Sequence, residues 1–215
     1  RGLGDVYKGQ AGYYAIPYGN KTAEGGRWRT GPGYALFAAI KKKLGEPRII
    51  AEDLGFLTDD VNALLRKCGY PGMKVLEFGF DSRDGGDYRP HGYPVNSIAY
   101  VGTHDNEPVN GWMATAAPED VARAVRYLNL TKQEGYHWGM MRGIWASAAE
   151  LSIVQAQDLL GLGSEARMNE PSTVGRNWQW RALPGVFTEE LAQKIHRMMV
   201  CLLYTSPSPR DRSVS

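Results

Sequence analysis

The sequence predicts an α/β fold built on a parallel sheet, and three observations predict it. Short apolar runs of strand length alternate with helix-length amphipathic segments along most of the 215 residues, which is the pattern of βα units. The run Arg48-Ile49-Ile50-Ala51 is apolar after its first residue and stops abruptly at Glu52-Asp53-Leu54-Gly55, as a strand covered on both faces would. Polar groups also gather after the other runs: Asp81 after Met73 to Phe80, Gly102-Thr103-His104-Asp105-Asn106 after Ser97 to Val101, and Gln157-Asp158 after Leu151 to Ala156. In a (β/α)8 barrel these strand ends share one rim, where such a barrel carries its chemistry. A full barrel usually needs about 250 residues, so on this reading the barrel is incomplete in this chain.

In order along the chain, residues 1–10 show no clear period and are set apart as an uncertain or foreign segment. Gly12-Tyr13-Tyr14-Ala15-Ile16-Pro17-Tyr18-Gly19 reads as an aromatic-rich loop closed by turn residues. From Tyr34 to Leu44, the residues Leu36, Phe37, Ile40 and Leu44 recur at helical spacing and Gly45 follows. After the strand at 48–51, Thr58 is placed as the N-cap of a helix from Asp59 to Lys67. Asp59 and Asp60 suit its positive end, and Gly69 and Pro71 end it. Met73 to Phe80 and Ser97 to Val101 are the next strands. Pro118 opens a helix to about Leu128, His137 to Glu150 forms another, and Leu151 to Ala156 is the fourth strand. A loop carrying Arg167, Asn169, Asn177, Trp178 and Trp180 follows, and a last helix starts after Thr188. Ser206-Pro207-Ser208-Pro209 cannot sit in a helix, so residues 201–215 read as a foreign or disordered tail.

Composition narrows the function. Lys plus Arg number 25 against 23 Asp plus Glu, so there is no broad field to attract nucleic acid or an anionic membrane. Six Trp and 12 Tyr offer flat apolar faces with a polar edge, which suit sugar rings as well as cores. Cys68 and Cys201 have no second ligand at metal spacing and make no disulfide framework, so a reducing, cytoplasmic setting is expected. No apolar run reaches the roughly 18 residues that a membrane span needs. Gly161-Leu162-Gly163-Ser164 lacks the spacing and the Lys of a phosphate loop.

Carboxylates flanking a cleft are what glycosidic bond cleavage requires, one as proton donor and one as nucleophile. Glu52, Asp81 and Asp105 are the candidates. The alternative for Glu52 and Asp53 is that they only cap the next helix or pair with an Arg. The alternative for His104 is a satisfied structural imidazole.

The segments Ile49-Ile50-Ala51-Glu52-Asp53-Leu54-Gly55, Val101-Gly102-Thr103-His104-Asp105-Asn106 and Gly163-Ser164-Glu165-Ala166-Arg167-Met168-Asn169 resemble the signature segments of the amylomaltase or 4-α-glucanotransferase (disproportionating enzyme) family. Trp178-Gln179-Trp180-Arg181 and Tyr14-Ala15-Ile16-Pro17 also match, so the resemblance covers roughly residues 12–200. It implies that residues 11–200 are a partial TIM-barrel glucanotransferase domain, the C-terminal part of a (β/α)8 barrel. It also implies a retaining double displacement that transfers α-1,4-glucan segments between maltooligosaccharides or other α-1,4-glucans. By the same resemblance Glu52 is the general acid/base, and Asp105 is the carboxylate that stabilises the transition state. Asp81, His104, Asn106, Asn169 and Asn177 lie along the glucan-binding cleft. The family's nucleophile is an Asp followed by His-Phe-Arg-Gly. Asp5 has the family's spacing, eight residues before Tyr13, but its flank Val6-Tyr7-Lys8-Gly9 departs from that pattern. Asp5 is then either the nucleophile in a diverged setting or a coincidence. No cofactor and no metal are expected, because carboxylates supply both nucleophile and proton. The other readings are an α-glucan hydrolase of the same clan and an inactive glucan-binding fragment; the oligomeric state is left open. The chain alone is expected to be inactive.

Overall fold

Strands and helices are both present along the chain, as the sequence predicts, but not in strict alternation, in a computed structural model that describes residues 2–4, 8–55, 57–82 and 88–202. The chain divides into two units, Arg1–Met73 with Asn96–Ile98, and Lys74–Val95 with Ala99–Ser215.

The first unit holds β1 (Gly2–Gly4), α1 (Lys8–Ala11), β2 (Gly12–Ala15), β3 (Arg27–Thr30), α2 (Tyr34–Leu44), β4 (Ile49–Ala51) and α3 (Asp59–Cys68). Here β1 runs parallel to β4, with Gly2 opposite Ile49, Leu3 opposite Ile50 and Gly4 opposite Ala51. A three-residue strand containing two glycines has no period for sequence reading to find. The aromatic stretch expected to be a loop begins instead as a strand, because β2 pairs antiparallel with β3 from Gly12–Thr30 to Ala15–Arg27. All four residues of β3 are exposed, so the hairpin lacks the apolar alternation that would have marked it.

The bounds of α2 are those predicted, and α3 runs one residue further than predicted. Phe37, Ala51, Val61 and Leu64 form this unit's buried core, with the Tyr70 ring edge-on to Phe37 at 5.8 Å. Gly69 closes α3 in the left-handed region at φ 70°, donating its N–H to the Leu65 carbonyl. Thr58 occupies the N-cap position without a side-chain cap bond, and its hydroxyl donates to the Asp60 carboxylate. Asp53, one of the two carboxylates after β4, ties this loop to the chain after α3. It accepts the Met73 N–H at 2.7 Å, beside an Ala51 N–H to Pro71 carbonyl bond of 2.9 Å.

The second unit takes over within β5 (Gly72–Val75) and β6 (Ser97–Tyr100), and adds α4 (Val109–Thr115), α5 (Pro118–Leu128), α6 (Tyr136–Trp145), β7 (Leu151–Ile153), α7 (Ala156–Leu159) and α8 (Glu189–Cys201). The sheet order is β5-β6-β7. Leu76, Phe80, Val101, Val109, Met140, Met141 and Ile144 are fully buried in its core.

Several predicted bounds are corrected here. The strand expected over Met73 to Phe80 stops at Val75 and turns into a 3₁₀ helix, Leu76–Phe80. Leu76, Glu77 and Phe80 are buried while Phe78 and Gly79 are half-buried, a pattern without the strict alternation of a strand. A Cβ on Gly79 would stand 2.7 Å from the Tyr88 carbonyl oxygen, so only glycine admits that close main-chain approach. Asp81 therefore follows a 3₁₀ turn, not a strand. Helix α6 ends at Trp145 rather than Glu150, because the Ser147 hydroxyl donates to the Ile144 carbonyl at 2.6 Å and competes with the next helical bond. The strand expected to reach Ala156 stops at Ile153, which places Gln157 and Asp158 on α7. Helix α4 was not anticipated, since seven residues containing a Gly and two β-branched positions carry little helical signal. Among the described residues no helix is long and apolar enough to cross a membrane.

Candidate active site

The second unit's site starts from the turn after β6. Thr103 donates both its N–H and its hydroxyl to Asn106 Oδ1, at 2.9 and 2.8 Å, and the Asn106 N–H returns to the Thr103 carbonyl at 3.1 Å. Short polar residues close such turns readily by side-chain to main-chain bonds. The consequence is that Asp105 projects from a braced loop. Its carboxylate accepts from Asn169 Nδ2 at 2.6 Å and lies 3.1 Å from His104 Nε2. The Asn169 N–H also donates to the His104 carbonyl at 3.1 Å, so the loop bearing Asn169 is tied to the turn twice. The His104 ring packs against Trp178 with centroids 5.0 Å apart. Trp178 is held in the left-handed region at φ 65°, with its N–H on the Met168 carbonyl at 2.7 Å.

Behind the turn stands a set of ionic groups. Arg167 donates from Nη1 to Glu107 Oε1 at 2.8 Å, from Nη2 to the Asp105 carbonyl at 2.7 Å, and from Nε to the Asn169 carbonyl at 3.0 Å. Asp158, almost fully buried, accepts the Val109 N–H at 2.7 Å and so caps α4, whose own N-cap residue, Pro108, supplies no side-chain cap. Burial raises the Asp158 carboxyl to about 6. Glu77 is buried as well. Desolvation pushes its carboxyl well above the usual range, Asp158 and Glu107 push it further, and Arg167 opposes them.

Arg167, Glu107 and Glu77 border a cleft of about 480 Å³ whose walls also include Asp81, Asp105 and Trp112. A second cleft of about 470 Å³ shares Glu107 and Arg167 and adds Arg176, Asn177, Gln179 and Trp180. Each is lined by hydrogen-bond donors and acceptors together with a Trp, Trp112 in the first and Trp180 in the second. Such surfaces can bind polyhydroxylated rings, and a carboxylate on the wall can stabilise positive charge developing on one.

The predicted site residues fall into groups. Asp105, His104 and Asn169 are joined by hydrogen bonds, and Asp81 and Asn106 border the same cleft. Asn177 borders the second cleft, where its amide accepts from the Glu170 N–H and donates to the Glu170 and Thr173 carbonyls, so it holds its own loop. Glu52 follows β4 directly, half-buried in the first unit. Asp5 lies outside the described residues. Sequence reading gave no role to Arg167, Glu107 or Glu77. The signal available was that Glu107 stands two positions after Asp105 and Arg167 two before Asn169, a complementary pair flanking two nominated residues.

A family model described as 4-alpha-glucanotransferase matches residues 5–186. A 4-alpha-glucanotransferase of Clostridium butyricum is 48% identical over 195 residues, covering 90% of this chain and 40% of that protein. A chloroplastic/amyloplastic 4-alpha-glucanotransferase of Arabidopsis thaliana is 44% identical over 177 residues, 82% of this chain and 31% of that protein. The solved amylomaltase of Streptococcus agalactiae in complex with acarbose superposes with a TM-score of 0.85 at 40% identity, over 93% of this chain and 40% of that one. The chain thus spans 31% to 40% of the length of these relatives.

Proposed function

The chain belongs to the 4-alpha-glucanotransferase family, and from there we propose that it is the C-terminal part of a (β/α)8 barrel enzyme that moves α-1,4-glucan segments between maltooligosaccharides. The observation that carries this reading is the Asp105 carboxylate, held on a cleft wall by Asn169 at 2.6 Å and His104 at 3.1 Å. Retaining glycosidic exchange needs a carboxylate nucleophile, a proton donor and a stabiliser of oxocarbenium-like charge. Asp105 takes the last role, since an oriented carboxylate acts on charge that appears only in the transition state. Glu52 takes the second: it protonates the departing 4-oxygen as the sugar's C1–O bond breaks, then accepts the proton of the incoming 4-hydroxyl. Asp5 is the candidate nucleophile, forming and then losing the bond to C1. Its support is its place directly after Gly4, which pairs with Ala51, the residue before Glu52.

Asp81, His104 and Asn169 contact sugar hydroxyls on this reading, while Asn106 and Asn177 shape the loops that carry them. The cycle calls on no metal or organic cofactor. On this reading the setting is a reducing cytoplasm, since a chain with two cysteines, Cys68 and Cys201, makes no disulfide framework.

Incubation of the full gene product with maltotriose tests the proposal. Longer oligomers with glucose are expected, whereas maltose with glucose and nothing longer would replace transfer by hydrolysis. Glu52→Gln should lower transfer by about 10²–10⁴-fold, and a glucosyl fluoride donor, which leaves without protonation, should restore part of the first step. Near-normal activity of Glu52→Gln on maltotriose would remove Glu52 from its role.

A further inference from the structure

Beyond those roles, we infer that Arg167 is a positioning residue that sets the Asp105 carboxylate against Asn169, and that Glu107 holds Arg167 in place. Three nitrogens of one guanidinium reach three acceptors: the Asn169 carbonyl, Glu107 Oε1 and the Asp105 carbonyl, at 3.0, 2.8 and 2.7 Å. Two of those acceptors are main-chain oxygens of the same residues whose side chains meet at 2.6 Å. The guanidinium therefore spans the backbones of both partners and fixes their separation, although they stand 64 positions apart. A rigid planar fork can do this, and a Lys ammonium on a flexible stem cannot reach the three acceptors in one geometry.

The anchor is built in the same manner. The Arg167 and Glu107 side chains are 22% and 20% exposed, so either one left alone would be a partly desolvated charge. A Cβ on Gly111 would lie 2.5 Å from Glu107 Oε2, which sets that carboxylate against the first turns of α4. Glu77, whose carboxyl burial pushes well above the usual range, is drawn the other way by the Arg167 charge. Because Arg167 and Glu107 border both clefts, the pair stands where a shift of the Asp105 turn would be felt by a ligand in either.

The test has one arm that needs no activity. In the 215-residue chain, solvent exchange of the Asn169 side-chain amide protons is read by saturation transfer, alongside the melting temperature. Arg167→Lys should speed that exchange by about 10-fold, the size of losing one net hydrogen bond of about 1.4 kcal/mol, with little change in melting temperature. Glu107→Gln, whose amide oxygen still accepts from Nη1, should exchange like the parent. Unchanged Asn169 exchange in Arg167→Lys overturns the inference. If that variant does not fold, the comparison passes to Glu107→Ala against Glu107→Gln: faster exchange in the alanine variant supports the anchor, and equal exchange overturns it.

The second arm rests on the transferase reading. In the full gene product with maltotriose, Arg167→Lys should lower kcat by about 10²-fold, the cost of a misplacement near 1 Å, while KM stays near the parent value. A raised KM with unchanged kcat would make Arg167 a substrate contact and overturn its positioning role. A full gene product that gives no glucan transfer sinks the transferase reading, and the exchange arm on the 215-residue chain still decides the role of Arg167.

Discussion

Asp105 and Asp158 are both aspartates near polar termini, yet their surroundings give them opposite work. The Asp105 side chain is 45% exposed and held by polar partners at a cleft. For Asp105→Asn in the full gene product we expect kcat on maltotriose to fall by about 10²-fold or more, with KM little changed, because the lost charge acts on the transition state. The melting temperature should hardly move; a large drop in melting temperature with residual turnover would make Asp105 structural instead. Asp158 is buried, and its carboxyl is raised from 3.8 to about 6. A carboxyl that binds its proton more tightly when folded supports the fold at low pH, and that support is lost as pH rises from 3.8 to about 6. Roughly two pH units correspond to about 3 kcal/mol. Asp158→Asn keeps an oxygen for the Val109 N–H without acquiring charge. We therefore expect it to be more stable than the parent at pH 7, by up to about 3 kcal/mol, and no more stable near pH 4. Urea unfolding at the two pH values measures this, and a variant less stable at pH 7 would reject the account.

At the scale of elements, two helices that begin alike in sequence begin differently in structure. Thr58 and Thr188 each precede two acidic residues at the head of an amphipathic helix. The Thr188 hydroxyl oxygen accepts the Leu191 N–H at 3.2 Å, satisfying one of the donors that a helix start leaves unpaired. The Thr58 hydroxyl instead donates to Asp60, a bond that also lowers the Asp60 carboxyl below its usual value. Thr188→Ala should cost about 1 kcal/mol and speed amide exchange in the first turn of α8. Thr58→Ala should cost less. Equal losses in chemical denaturation would mean that the two caps are energetically the same.

For the molecule as a whole, buried apolar side chains are unequally shared. Among the described residues the core of the second unit holds fifteen buried side chains, from Leu76 to Ala149, and that of the first holds four. Local opening is governed by how much apolar packing must be undone. Hydrogen exchange on the 215-residue chain should therefore show stronger protection in β6, α5 and α6 than in β4 and α3. The chain spans only 31% to 40% of its relatives, and strands left without their neighbours have unpaired edges. Uniformly strong protection across β4, β5, β6 and β7 in a soluble monomer would contradict the view that this chain is part of a larger barrel.

What the sequence determined by itself was whatever is encoded by near neighbours. The helices α2, α3 and α5 were legible to within a residue, because apolar residues at helical spacing, flanked by Gly, Pro or Asn, fix both the buried face and the ends. The turn bearing His104 and Asp105 was legible because an apolar strand stops in short polar residues. Only the tertiary structure decided the rest. The β1–β4 pair joins residues 47 positions apart in register, Asp158 caps a helix 49 positions before it, and Arg167 reaches Asp105 across 62. A hydrogen bond between distant segments leaves no periodic trace in either one, since its partner is chosen by how the chain packs and not by what stands beside it in sequence.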